Sequence, residues 1–581
     1  MPSTSPSRGA GSSSNKPAAH GHADGGTRET VESIVMAIVL ALLFRGFVAE
    51  AFVIPTGSMA PTLRGEHKDL WCPQCNFRYQ AGTSREKVAG TVCPMCFYGH
   101  RSDVAKNPNE DSVSGDRIIV NKFVYDWSEP QRWDVIVFKY PGDASQNYIK
   151  RLIGLPGETI RIQGGNIWVK KEGEAEFTIA RKPVHRLESL LQLVHDTDYN
   201  ASSLVSAGAL SRWYEEDVTD AKPAQWEANE KGTEFTLEGK GSGTHWLRYR
   251  HLPPTSEEWQ AAENNDAKGV ERLNSDMGEL ITDFYAYNAT AFGGPGSVLD
   301  KDFSEAYCHG SYWVDDLAVE ATAQVKSASG ILVLDVLRGG THHVCKIDVA
   351  TGMATITRSM PDGKALEFSS EDGSKKAEEI KGQTTVRGAG TYRIRLSNVD
   401  HETLLWVNGS VVAMDGPTTY AAAPTIAPFT SEEEPGDLQP ARIGGEGISM
   451  VLKKLRIYRD KYYIAQKISR SEDSSVSTDI AETSWGNDLL KPEQWNAESY
   501  LRSRISVDFE LGKDEFFPLG DNSPYSQDAR SWPSSGMNRT TPPNLVRRDL
   551  LIGKAMIVYW PHTWNRPVKF WPNLGQIRRI R

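Results

Sequence analysis

The stretch Tyr148-Ile149-Lys150-Arg151-Leu152-Ile153-Gly154-Leu155-Pro156-Gly157 decides how this chain reads. A half-apolar, β-favouring run ends in a Gly/Pro turn, which predicts a strand that reverses direction. Outward from it, similar runs lie at 117–120 and 134–138 before, and at 159–162 and 167–169 after. Short strands punctuated by Gly and Pro predict an antiparallel, mainly β domain. Within such a strand Lys150 and Arg151 face opposite sides. An amine turned to a dry face loses part of its charge preference, its pKa falling from about 10.4 towards about 7 to 8, and becomes a candidate general base. The plain alternative is a solvated strand lysine.

Farther out the β character returns. Residues 171–465 hold strand-like runs at 330–336, 391–396, 403–409 and 452–458, which predict a second β domain, a sandwich. Residues 466–503 are polar and rich in Ser and Glu, and read as a linker. The pattern resumes at 504–509 and runs to 554–560, so residues 504–581 are expected to complete the domain begun at 54–170, with the sandwich inserted between. Residues 1–28, dominated by Ser, Gly, Pro and Ala, bury too little to offset the entropy of ordering and read as a disordered tail.

With 581 residues the chain has room for roughly three or four domains. Hydrophobic residues at 39% and charged residues at 24% describe a largely soluble protein and exclude a polytopic membrane protein. A net charge of -10 argues against a chain-wide nucleic-acid surface. Eleven uninterrupted apolar residues, 34–44, are followed by Arg45, Gly46 and Glu50. A span of 29–48 suffices to cross a bilayer if Arg45 snorkels, and a cleavable signal peptide ending near Ala49-Glu50-Ala51 fits the pattern equally well.

A serine between glycine and methionine stands in Ile54-Pro-Thr-Gly-Ser-Met-Ala-Pro-Thr-Leu63. Serine needs activation to serve as a nucleophile. No Gly-x-Ser-x-Gly elbow is present, and His67, His100, His343 and His562 stand in no hydrolase signature, which leaves lysine as the candidate base.

The segments 54–63, Gly115-Asp-Arg-Ile-Ile-Val-Asn-Lys-Phe123, 134–138, 148–157 and Gly520-Asp-Asn-Ser-Pro-Tyr-Ser-Gln-Asp-Ala-Arg530 resemble, in order, the conserved boxes of bacterial type I signal peptidases, or leader peptidases. The resemblance implies that Ser58 is the nucleophile and Lys150 its general base. It implies an oxyanion hole from the Thr56 hydroxyl and the Ser58 N–H. Ser526 would orient the lysine, Asp528 and Arg530 would brace the site, Arg151 would follow the lysine, and Met59 would shape the pocket. Here Ser523-Pro524-Tyr525 replaces the family's Arg-Asp-Asn, so the loop around Ser526 is expected to differ in shape. The implied activity is removal of signal peptides from secretory precursors after small residues, Ala-x-Ala in type, through an acyl-enzyme and without a catalytic cofactor. The family also favours a retained anchor over 29–53, an N-terminus in the cytoplasm and a catalytic domain outside the cytoplasmic membrane. The aromatic residues Tyr559, Trp560, Trp564, Phe570 and Trp571 either dip into the bilayer interface or pack in a core.

Cys72-Pro-Gln-Cys75 and Cys93-Pro-Met-Cys96 are seventeen residues apart, a zinc-ribbon spacing inside residues 65–113. A structural zinc on these four thiolates is expected, with two disulfides as the alternative. Cys308 and Cys345 read as buried thiols rather than a bridge. The large insertion is similar, more weakly, to laminin-G or concanavalin-like jelly rolls, which implies a protein or carbohydrate ligand or merely an added surface. A different class of function, a membrane-anchored binding protein on a degenerate peptidase scaffold, would require loss of Ser58 or Lys150, and both are present.

Overall fold

The computed structural model describes residues 25–43, 49–83, 88–102, 104–216, 218, 223–239, 243–292, 310–421, 426–470, 477–481, 489, 491–495, 504–532, 545–564, 568 and 570–581. The tail predicted over 1–28 lies outside the described residues up to position 24, and so does Cys308. The chain divides into two units, Met1–Glu50 and Ala51–Arg581.

The first unit contains one helix, Gly25–Leu43. Its side chains from Arg28 to Leu40 are exposed, including Ile34, Val35, Met36 and Ile38. No helix among the described residues is long and apolar enough to cross a membrane. Against the expected anchor over 29–53, the structure sets a shorter helix and a separate strand. The helix ends at Leu43, and Ala49–Val53 is a strand that lies beside Arg117–Asn121 and continues into Ile54, whose N–H donates to Asp116 O at 2.9 Å.

The second unit is mainly β. One sheet runs in the order Ala49–Val53, Arg117–Asn121, Leu551–Trp560, Val135–Tyr140, Asp143–Gly154, Glu515–Leu519 and Val546–Arg547. Strands from before and after the long insertion are thus interleaved within it: Leu551–Trp560 lies between Arg117–Asn121 and Val135–Tyr140. The predicted run 148–153 is the second half of Asp143–Gly154, and its hairpin with Val135–Tyr140 places Lys150 opposite Ile136. A four-stranded sheet of Thr178–Ile179, Asn166–Lys171, Glu158–Gln163 and Val507–Glu510 packs with it around Phe138, Leu152, Ile160, Phe509 and Phe517.

The insertion contains two large antiparallel sheets. The first is centred on Met450–Arg459, Leu317–Val325 and Gly390–Val399, the second on Ala441–Glu446, Ile331–Arg338 and Thr341–Asp348. Their inward faces share one core that includes Leu334, Ile347, Ile394, Leu396, Leu452 and Cys345, a buried free thiol. Residues 466–503, read as a linker, are in part ordered: Gln466–Arg470 pairs with Ser477–Ala481, and Leu489 and Trp495 are buried against Leu280, Trp313 and Leu438. The Ser/Glu composition concealed these few apolar anchors.

Candidate active site

Ser58 occupies a single 3₁₀ turn, Gly57–Met59, entered from Thr56 in extended conformation. Met59 is fully buried beneath it with Ile54, Leu63, Val135 and Val137, which fixes the turn to the sheet. Asn522 holds the turn from above: its backbone N–H donates to Ser58 O at 3.0 Å, and its Nδ2 donates to Gly57 O at 3.1 Å.

Lys150 reaches the same turn from the strand beside it. Its Nζ lies 2.8 Å from Ser58 Oγ and 3.0 Å from Ile149 O, with only 4% of the residue exposed. Burial lowers its pKa to about 8, against the opposing pull of Asp528 and Asp521. Roughly a tenth of such an amine is neutral at pH 7. No histidine lines this cleft among the described residues.

Arg151 points the other way, as strand alternation requires, and is fully buried. Its Nε and Nη2 each approach one Asp521 oxygen at 2.7 Å, and Nη1 donates to Trp133 O at 2.8 Å. Thr62 donates its hydroxyl to the same carboxylate. Burial pushes Asp521 up, but Arg151 and Lys461 outweigh it and hold the carboxyl below its ordinary value. Asp528 and Arg530 also meet, at 2.8 Å, and Asp528 accepts from Gly520 N while Arg530 donates to Ser523 O and Ile464 O.

Thr56 stands exposed at the cleft, its hydroxyl making no hydrogen bond to the turn it precedes. Ser526, too, has a hydroxyl that is not joined to the other predicted site residues by a hydrogen bond. Its Oγ is buried with no partner, so the expected contact with Lys150 is not made. It is nonetheless close: a Cβ on Gly520 would lie 2.5 Å from both Ser526 Cβ and Ser58 O, so only glycine fits between them. The Ser-Pro-Tyr substitution falls in the short 3₁₀ turn Ser523–Tyr525 that leads to this serine.

Four residues were missed. Asp521 and Asn522 stood in a stretch already singled out, and their partners could not be read from it. Tyr287 and Asn288 come from the insertion and carried no sequence signal. Tyr287 covers Gly57 and Gly82, where a Cβ on either would strike its ring. Asn288 and Asn522 exchange two amide hydrogen bonds, of 2.7 and 2.8 Å. Together with Thr56, Ser58, Tyr148 and Lys150, the residues Tyr287, Asn288 and Asn522 line a cleft of about 490 Å³. Along one wall, residues 147–149 pair with Val135–Tyr140 on one side only, since Glu515–Leu519 meets this strand only from Arg151 onward. Among the described residues no strand pairs with their other edge, which leaves room there for an added strand.

The four ribbon cysteines converge with buried thiols. Cys72 and Cys96 Sγ lie 3.5 Å apart, Cys75 and Cys93 Sγ 3.6 Å, and all four atoms fall within 4.8 Å of one another. A tetrahedron of thiolates at about 2.3 Å from zinc has edges of about 3.8 Å, so the cage fits that ion. The pairs are not disulfides. Each knuckle turns through a left-handed residue, Asn76 at φ 60° and Phe97 at φ 62°. Two other clusters of potential ligands already hold a protein cation. Arg78 grips Asp69 between His67 and His562, and Lys182 Nζ lies 2.8 Å from Asp400 and 2.6 Å from Asp460 beside Asp316.

Residues 27–79 and 88–210 match the family described as signal peptidase, peptidase S26. Signal peptidase I of Pseudomonas fluorescens is 30% identical over 154 residues, covering 26% of this chain and 41% of that protein. Signal peptidase I of Leptolyngbya laminosa is 30% identical over 169 residues, covering 28% of this chain and 59% of its own length. The chain thus spans about half the length of these relatives. Among solved structures, a carbohydrate-binding module from Bacillus subtilis aligns over 42% of this chain and 94% of its own at 6% identity, with a TM-score of 0.20, a likeness too loose to carry an assignment. Part of the chain, residues 27–79 and 88–210, is thus similar to type I signal peptidases.

Proposed function

We propose, from this partial similarity and the geometry of the cleft, that this chain is a membrane-associated serine endopeptidase that removes N-terminal signal peptides from exported precursors. The reading rests above all on a buried amine in hydrogen-bond contact with a serine hydroxyl at an open cleft. In its neutral form Lys150 takes the Ser58 proton as Oγ attacks the scissile carbonyl. The Thr56 hydroxyl and the Ser58 N–H stabilise the developing oxyanion. The protonated amine then donates to the leaving amino group, and water, deprotonated by the same lysine, hydrolyses the acyl-enzyme. Arg151 with Asp521, and Arg530 with Asp528, brace the strand and loop that carry this chemistry; Ser526 lies against the same loop.

An extended precursor segment fits the open edge at 147–149, where main-chain hydrogen bonds give affinity and alternate side chains face the cleft. With Tyr287 closing the space near Ser58, and Met59 shaping the turn from beneath, small residues of the Ala-x-Ala kind are the expected occupants. Zinc on Cys72, Cys75, Cys93 and Cys96 would hold the ribbon in shape and takes no part in the proton transfers.

A bilayer accounts for two exposed apolar surfaces. One is the helix Gly25–Leu43; the other is the C-terminal segment with Val568, Phe570, Trp571 and Leu574, each at least half exposed. The deciding experiment is cleavage of a labelled secretory precursor by the full chain in lipid. Activity lost in Ser58→Ala and Lys150→Ala supports the reading, and undiminished cleavage by either variant refutes it.

A further inference from the structure

The insertion delivers Asn288 to the rim of the cleft by a defined route. Thr290–Phe292 adds to ribbon strand Val88–Val92, Gly82 N donates to Tyr287 O at 2.8 Å, and Asn288 N donates to Tyr285 O at 2.9 Å. Placed so, its side chain meets that of Asn522, which is 2% exposed. Asn288 Nδ2 donates to Asn522 Oδ1 at 2.7 Å, and Asn522 Nδ2 donates to Asn288 Oδ1 at 2.8 Å.

The pairing matters because of what Asn522 does with its remaining proton. That proton goes to Gly57 O, while the Asn522 backbone N–H goes to Ser58 O. A primary amide is nearly symmetric in shape but not in chemistry, and rotation by half a turn exchanges donor for acceptor. Turned over, Asn522 would set Oδ1 against Gly57 O and release the nucleophile turn. A reciprocal pair resists this, since either amide turning alone opposes donor to donor and acceptor to acceptor.

We propose, building on the peptidase reading, that Asn288 is a positioning residue contributed by the insertion, which fixes the orientation of the Asn522 amide and through it the Ser58 turn. The inserted module is then part of the catalytic apparatus rather than a passenger beside it.

The test uses the full chain in lipid and a peptide substrate with Ala at both small-residue positions. Asn288→Ala is expected to lower kcat roughly tenfold or more with KM within about twofold, because the substrate cleft is kept and the nucleophile is not. Asn288→Asp, which can accept from Asn522 but not donate to it, should fall between. The double variant with Asn522→Ala should be no worse than Asn522→Ala alone. Hydrogen/deuterium exchange gives a readout independent of turnover: Asn288→Ala should speed exchange in peptides covering 55–63 and 520–525 while the sandwich strands keep their protection. Unchanged exchange there, a kcat within twofold of wild type, or multiplicative losses in the double variant would overturn the proposal. Should Ser58→Ala retain activity, the peptidase reading fails instead, and the exchange result alone then decides the positioning role.

Discussion

Arg151 and Asp521 form a two-point ion pair, 2.7 Å at each contact and wholly buried, between the residue after Lys150 and the residue before Asn522. The pair therefore ties the base's strand to the loop that holds the nucleophile. Asp521→Ala leaves the guanidinium buried and unpaired, which costs on the order of 3 to 5 kcal/mol. The expected result is a large drop in the thermal midpoint together with loss of cleavage. The carboxyl is held below its ordinary value, so its contribution is present at neutral pH and fades as pH falls through that lowered value. Acid unfolding followed by circular dichroism should begin at higher pH in a variant whose pair is weakened.

Activity should climb with pH through about 8, since burial sets the Lys150 amine there and only its neutral form accepts the serine proton. Below that point kcat/KM is expected to fall about tenfold per pH unit. Lys150→Arg, charged throughout this range, should be inactive at every pH. The same burial penalises the charged amine in the folded state below about pH 8, and the penalty is relieved as pH rises towards the unfolded value near 10.5. Adding Lys150→Met to the inactive Ser58→Ala variant should therefore raise its melting temperature at pH 7.

Gly57→Ala is expected to lose most activity, because a Cβ there meets the Tyr287 ring. Combining it with Tyr287→Ala removes that collision, and partial recovery of cleavage in the double variant would show that the two act against each other. No recovery would place the fault in the backbone of the turn.

One zinc per chain is the expected metal content of protein purified without chelator. Cys72→Ser should abolish it and expose the ribbon to proteolysis. Ribbon strand Val88–Val92 carries Thr290–Phe292, so cleavage should weaken as well, although no cysteine lines the cleft. Elemental analysis and a cleavage assay on the same samples check both parts.

Phe570→Ser and Trp571→Ser remove two of the exposed C-terminal rings, 78% and 51% exposed. A truncated chain lacking the helix should then bind vesicles of mixed neutral and anionic lipid more weakly, by co-sedimentation, with its melting temperature unchanged.

The sheet was legible because it depends on local pattern, whereas the contact between Ser58 and Lys150 was implied only by the resemblance. Residues 148–153 form a half-apolar, β-favouring run that ends at a Gly/Pro turn, and the strand follows from that. Ser58 and Lys150 stood in stretches whose composition or resemblance singled them out. What could not be read was pairing across distance. Nothing in the sequence couples Arg151 to Asp521, or Asn288 to Asn522, because neither residue's neighbours encode its partner. The C-terminal bound of the expected anchor was set too late, because the apolar character continues through 51–54 into what is a strand from Ala49. The linker reading failed because a few buried side chains, Leu489 and Trp495, can order a segment that is polar on average.

The hydrogen bond from Asn522 to Gly57 spans 465 positions. On a ribosome, the first of these residues emerges long before the second exists. A nascent chain bearing its serine and lysine already outside the exit tunnel would still have a slack turn and an unbraced strand. Proteolytic competence would thus arrive late, with the closing segment, and a half-made copy could not cut the precursors passing beside it.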